Sequence, residues 1–267
     1  MKRVLRSWLS HLTPPTWRLP IRFYWHRLRG GEETKQWQSE LEQLRRWSSS
    51  DATAIDVGAN EGLYSYKFAQ WFGTVESFEP NPLLAQRLRS YRSQKIHIHE
   101  IAISASEGHA RLYVPVTTRG VDYHGWGTLD PTKLEGFQEQ RAISVSVRTL
   151  DSFEFACVGV IKIDVEGHES EVLAGAIDTI RRCRPILLIE IKSASRPFVN
   201  EFFQSLGYGF YFWNLTRFIK LDTRITAWNN STENLFAIPK EKSDSIVASA
   251  GANSFASGTE FLVSANQ

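Results

Sequence analysis

The amino-acid sequence predicts an α/β protein built on a doubly wound, mostly parallel sheet with helices on both faces. Three observations carry that expectation. Short apolar runs alternate along the chain with longer stretches of helical periodicity. Two of the runs, "VGVIKIDV" and "PILLIEIK", are almost continuously apolar, as central parallel strands covered on both faces must be. A third, "ATAIDV", ends in a glycine-bearing turn that opens a helix, which is how a βαβ unit begins.

Each element follows in order. "ATAIDV" is the first strand and "GLYSYKFAQWF" the first helix of the sheet, with Leu63, Tyr66 and Ala69 at helical spacing. "TVESFE" is the second strand. In "PNPLLAQRLRSY", Asn81 suits an N-cap and Pro82 the first helical position. "KIHIHEIAI" alternates as one strand, with His97 and His99 structural, and "ARLYVPV" and "AISVSV" read as two more. "VGVIKIDV" is a central strand, "HESEVLAGAIDTIRRC" one helix, and "PILLIEIK" another buried strand. "RPFVNEFFQSLG" is a helix stopped by Gly207. "YGFYFWN" and "NLFAIP" close the sheet as an antiparallel pair. The expected total is a seven-stranded sheet whose final strand is antiparallel.

The chain has 267 residues, which suits one large α/β domain with flanking segments. Lys and Arg number 31 against 29 Asp and Glu, so nothing in the charge calls for a nucleic-acid partner. Cys157 and Cys183 lie far apart without metal or redox spacing, which speaks for a reducing compartment. No apolar run reaches transmembrane length, and a cytoplasmic location is the default expectation. Residues 1–49 read as a helical extension, basic and aromatic up to residue 31, which packs on the domain or touches an anionic membrane surface. Residues 50–240 form the domain, and residues 241–267, rich in Ser, Ala and Gly, read as a disordered tail.

Ligands of such sheets bind at the carboxyl ends of the strands, where strand order reverses. The turn "DVGANEG" lies there. Gly58 and Gly62 allow close backbone approach, and Asn60 tolerates a left-handed conformation. Glu79 ends the second strand about twenty residues on, where a carboxylate accepts from both ribose hydroxyls. A dinucleotide fingerprint would place its glycines closer together, and Asp56 would repel a pyrophosphate. The charges fit S-adenosylmethionine, which has a ribose, a sulfonium and an ammonium but no phosphate. A nicotinamide-dependent oxidoreductase and a non-catalytic cofactor-binding protein are the competing readings.

Three segments, "IDVGANEGLYS", "FEPNP" and "IKIDVEGHESEVLAGA", together with "LDSF" and "NLFAIP", closely resemble the FkbM-type S-adenosylmethionine-dependent methyltransferases over about residues 50–240. The resemblance implies a Rossmann-like class I methyltransferase fold. It also implies O-methylation of a sugar, glycan or secondary-metabolite hydroxyl. By the same resemblance, Asp56, Gly58, Ala59, Asn60 and Gly62 hold the methionine part. Glu79 holds the ribose, Asn81 lies nearby, and Ala102 borders the adenine.

Methyl transfer to an alcohol needs the acceptor held in line with the sulfonium and its proton removed. Asp164, Glu166, His168 and Glu190 converge at the edge where the methyl should sit. Either His168 or a carboxylate is the base, or Asp164, Glu166 and Glu190 hold a divalent cation such as Mg that lowers the acceptor's pKa. Acids at a helix start are also favoured by the macrodipole, so Glu166 and Glu169 have a purely structural reading as well. Lys162 and Lys192 are expected to reach solvent or pair with neighbouring acids. The polar loop 117–129, with Tyr123, His124 and Trp126, is a candidate lid or an ordinary connection.

Overall fold

The computed structural model describes residues 32–116, 127–134, 137, 139–191, 196–221 and 233–243. Helix α1 (Glu32–Arg45) precedes strand β1 (Thr53–Val57). Helix α2 (Leu63–Trp71), β2 (Thr74–Phe78), α3 (Pro82–Arg89) and β3 (Ile96–His99) continue as βαβ units. The chain then makes an excursion through β4 (Ala102–Ile103), β5 (Gly108–Val116) and β6 (Glu139–Arg148). It returns with β7 (Val158–Ile163), α4 (Glu169–Ala174), α5 (Ile177–Cys183), β8 (Ile186–Ile191) and α6 (Arg196–Ser205). Strands β9 (Tyr208–Trp213), β10 (Phe218–Lys220) and β11 (Glu233–Pro239) complete it.

The main sheet has the order β3-β2-β1-β7-β8-β11-β9-β10. Pairing is parallel from β3 to β8, and β11 inserts antiparallel between β8 and β9. Strand order reverses between β1 and β7, so the crevice for a ligand opens at their carboxyl ends.

Period-two alternation sends the central strands' side chains into two cores. On one face, Ile55, Val57, Ile161, Ile163, Leu187 and Ile189 meet Val172, Leu173, Ile180, Val199 and Phe203 of α4, α5 and α6. On the other, Ala54, Val160, Ile186 and Leu188 meet Phe68 of α2, Phe72 at its C-cap, and Leu41 and Leu44 of α1. Phe68 and Phe72 stack edge to face at 5.8 Å. Helix α1 therefore belongs to the second core, and Glu40 ties it to the sheet by accepting from Asn234 of β11 at 2.9 Å.

Four expectations need correction. The main sheet has eight strands among the described residues, because the three-residue β10 returns along β9. "KIHIHEIAI" is two strands: β3 stays in the main sheet, while β4 pairs with β6. "ARLYVPV" and "AISVSV" form the antiparallel β5–β6 hairpin of a separate three-stranded sheet with its own core of Leu112, Val114, Val145 and Val147. "HESEVLAGAIDTIRRC" is two helices. The chain passes so close to the excursion at Gly175 that a Cβ there would lie 2.0 Å from the Ser104 carbonyl oxygen. The second helix starts afresh, with the Asp151 carboxylate of "LDSF" accepting from the Asp178 and Thr179 amides at 3.1 and 2.7 Å. The expected cap of α3 is present: Asn81 Oδ1 accepts from the Leu83 amide at 3.1 Å, with Pro82 in the first turn.

The basic segment 1–31, Lys192, loop residues 117–126 with Tyr123, His124 and Trp126, and tail residues 244–267 lie outside the described residues. No helix among the described residues is long and apolar enough to cross a membrane.

Candidate active site

A cleft with a cavity volume of about 90 Å³ lies at the carboxyl ends of β1, β2 and β7. Its floor is Val57 and Gly58, its polar wall Asn60, Glu79 and Asn81, and its apolar wall Phe78, Leu84, Ile101 and Ala102. Leu112, Gly127 and Leu129 of the excursion close one side, and Asp164, Glu166 and His168 form the far edge.

The loop after β1 is built around three left-handed residues, Gly58, Asn60 and Gly62, at φ of +77°, +50° and +80°. This winding turns successive amides toward β2. The Gly58 and Ala59 amides both donate to the Phe78 carbonyl at 3.0 Å. The Asn60 amide donates to Glu79 Oε2 at 2.7 Å, and the Asn81 amide to Oε1 at 2.9 Å. Glu79 is thus gripped by backbone on both oxygens while it lines the cleft. Burial pushes its carboxyl up to about 7, against the opposing pull of the Asn81 and Asn60 amides and of Lys162. A ligand whose hydroxyls donate to it favours the ionised form.

Asp56 does not face the cleft. It is the penultimate residue of β1, one position before Val57, so its side chain points to the opposite face of the sheet. There it is wholly buried and accepts from the Ser65 amide at 3.0 Å and the Ser65 hydroxyl at 2.5 Å. Ala59 and Gly62 are also absent from the cleft lining: Ala59 packs on Leu88 and Tyr91, and Gly62 is the N-cap of α2. These three expected cofactor contacts stand outside the cleft lining. Gly58, Asn60, Glu79, Asn81 and Ala102 line the cleft as expected.

Of the two expectations for Lys162 of β7, pairing with neighbouring acids holds: the residue is only 5% exposed. Its ammonium donates to the Gly58 carbonyl at 2.9 Å and lies 3.3 Å from Asp164 Oδ2 and 3.4 Å from Asp56 Oδ1. Burial alone would lower its pKa, but the Asp164 and Asp56 carboxylates outweigh that and hold it above the usual lysine value.

At the edge, Asp164, Glu166 and Glu190 each place one carboxylate oxygen within 4.8 Å of the others. Glu166 sits at φ +55°, with Thr128 donating to its carbonyl at 3.0 Å. Glu190 stands outside the residues that line the cleft and joins the group from β8. His168 contacts the Ser104 hydroxyl through Nε2 at 2.9 Å and Glu171 through Nδ1 at 3.5 Å. Burial lowers its pKa, against Glu171 and Asp130, so it is a neutral imidazole at neutral pH. Glu169 is buried and accepts from the Gly167 amide at 2.9 Å, which is the structural role open to an acid at a helix start. His97 and His99 bind the two oxygens of Glu76.

Reasoning from sequence missed the excursion's wall, Leu112 and Leu129, and the Ser104 partner of His168. Lys162 had a legible signal: a lysine inside a continuous apolar strand must find an acid within the core.

A mostly parallel doubly wound sheet with an antiparallel final strand, and a carboxylate held at the tip of β2, define the class I methyltransferase arrangement. Residues 56–210 match the family model described as the methyltransferase FkbM domain, and the chain belongs to that family. It is 30% identical over 150 residues to the 2-O-methyltransferase NoeI of Sinorhizobium fredii, a match covering 50% of this chain and 61% of that protein. Among solved structures, it is similar to a methyltransferase FkbM from Methylobacillus flagellatus KT, with 17% identity and TM-score 0.46 over 70% of this chain and 44% of that one. It is also similar to a Streptococcus mutans protein solved in complex with SAH, with 9% identity and TM-score 0.44 over 76% and 96% of the two chains.

Proposed function

We propose that the chain is an S-adenosylmethionine-dependent O-methyltransferase acting on a hydroxyl of a sugar, glycan or secondary metabolite. The observation that carries this reading is Glu79, a buried carboxylate that lines the cleft and is held by the Asn60 and Asn81 amides, where it suits a nucleoside's pair of hydroxyls. Gly58 lines the cleft beside it, and Ala102 with the apolar wall suits an adenine ring. The name of the NoeI relative points the same way for the acceptor atom, an oxygen.

The cofactor supplies a methyl group already activated on cationic sulfur. The chain's own residues must align the acceptor and take its proton. With such a donor held beside Glu79, Asp164, Glu166 or neutral His168 at the edge of the cleft would align the acceptor hydroxyl and take its proton. In the alternative reading, Asp164, Glu166 and Glu190 would hold a hard divalent cation such as Mg, which would lower the acceptor's pKa in place of a base. The Lys162 ammonium beside Asp164 already supplies part of the positive charge such an ion would bring. Near-neutral composition supports a small-molecule or glycan acceptor over nucleic acid.

Calorimetric titration with S-adenosylhomocysteine tests the reading. Wild type is expected to bind, and Glu79→Gln to bind about tenfold or more weakly, since a hydrogen bond to a charged acceptor contributes about 1.5–3 kcal/mol. An exposed control, Glu107→Gln, should match wild type. No binding by wild type, or equal binding by Glu79→Gln, ends the proposal.

A further inference from the structure

We propose that Lys162 is a positioning residue whose buried ammonium holds the loop after β1 and the acidic edge after β7 in one fixed relation. The inference rests on the reading of the cleft as a cofactor site for its consequence, though not for the contacts themselves. An ammonium has three donors. Here it faces three oxygens at 2.9, 3.3 and 3.4 Å: the Gly58 carbonyl, Asp164 Oδ2 and Asp56 Oδ1. The Tyr64 ring covers it at 5.2 Å. Lys162 does not line the cleft, so it acts through its partners.

Each partner belongs to a different part of the site. Gly58 begins the loop whose later amide, at Asn60, grips Glu79. Asp164 is the first acid of the edge, and its own amide donates to the Val57 carbonyl at 3.1 Å. Asp56 secures the first turn of α2 through Ser65. The two loops are also in backbone contact, because a Cβ on Gly58 would lie 1.8 Å from the Asp164 carbonyl oxygen. One cation therefore sets the Gly58 peptide plane and the Asp164 carboxylate together. If the cleft holds the donor and Asp164 serves the acceptor, this contact keeps donor and acceptor groups in register without touching either.

Removing the lysine alone would strand Asp56 as a buried, uncompensated charge and endanger folding. The test is the double variant Asp56→Asn/Lys162→Met, which neutralises the pair while an asparagine can still accept from Ser65. Hydrogen–deuterium exchange on ligand-free protein follows peptides covering 57–63 and 163–169. The expected result is exchange about tenfold faster or more in both segments, with β8 and α6 unchanged. Titration should show S-adenosylhomocysteine binding about tenfold more weakly at a Tm close to wild type. Lys162→Arg, which keeps a cation at that position, should preserve slow exchange in both segments. Wild-type exchange in both segments of the double variant overturns the proposal, and so does faster exchange spread evenly over the molecule. Failure of wild type to bind S-adenosylhomocysteine would instead sink the cofactor reading, while exchange would still decide the role of Lys162.

Discussion

Gly58 is the most constrained residue of the cleft. Its φ of +77° disfavours any side chain, and the Asp164 carbonyl occupies the space a Cβ would need. Gly58→Ala should therefore cost about 2 kcal/mol or more in stability, through strain and forced separation of two loops. Urea unfolding measures this, and a wild-type midpoint would contradict the account. Glu79 and Asn81 were legible in the sequence because each follows from one local rule: an acid at the tip of the second strand, and an Asn-Pro helix start. Asp56 was not. A strand's side chains alternate, so the choice between Asp56 and Val57 as the residue facing the cleft rests on register, and a shift of one position exchanges the faces. Lys162 was legible as a buried cation in need of an acid, but its partners Asp56 and Gly58 come from a segment distant in sequence that only the assembled sheet brings to it.

The elements themselves were legible wherever periodicity was strong, as in β1, β7, β8 and α3. The break between α4 and α5 was not, because the single glycine at it, Gly175, does not by itself end a helical pattern. It arises from the approach of Gly175 to Ser104 in a segment that is remote in sequence. Asp151 repairs the break by capping α5 from outside the helix. Asp151→Ala should cost about 1 kcal/mol, the usual worth of a helix cap, and lower the Tm by several degrees in calorimetry. An unchanged Tm would mean that α5 is held by packing alone. The second sheet was hidden for a related reason. "ARLYVPV" and "AISVSV" have ordinary strand patterns, and nothing in a pattern says which sheet a strand will join.

At the scale of the molecule, two buried acids set a pH dependence. Burial pushes Glu40 to about 7, opposed by hydrogen bonds from Gln36 and Asn234, and pushes Glu79 to about 7 as well. Between pH 4.5, the ordinary glutamate value, and about 7, the folded state keeps protons that the unfolded chain has released. Stability of the ligand-free protein should therefore fall as pH rises through that window, by roughly 3 kcal/mol for each acid. His168, with its lowered pKa, works in the opposite direction and offsets part of this. Glu76, held below the usual value, matters only at lower pH. Urea midpoints at pH 5.5 and pH 8 should show the higher value at pH 5.5, and the reverse order would refute the assignment. The doubly wound architecture and the place of the cleft could be read from the chain, but this balance of charges could not, because it depends on how deeply α1 and β11 enclose Glu40. The position of β11 has a consequence for biosynthesis. It slots between β8 and β9, yet it is made after both. On the ribosome the emerging polypeptide must hold that slot open, its rims exposed to any stray strand, until residue 239 has cleared the exit tunnel.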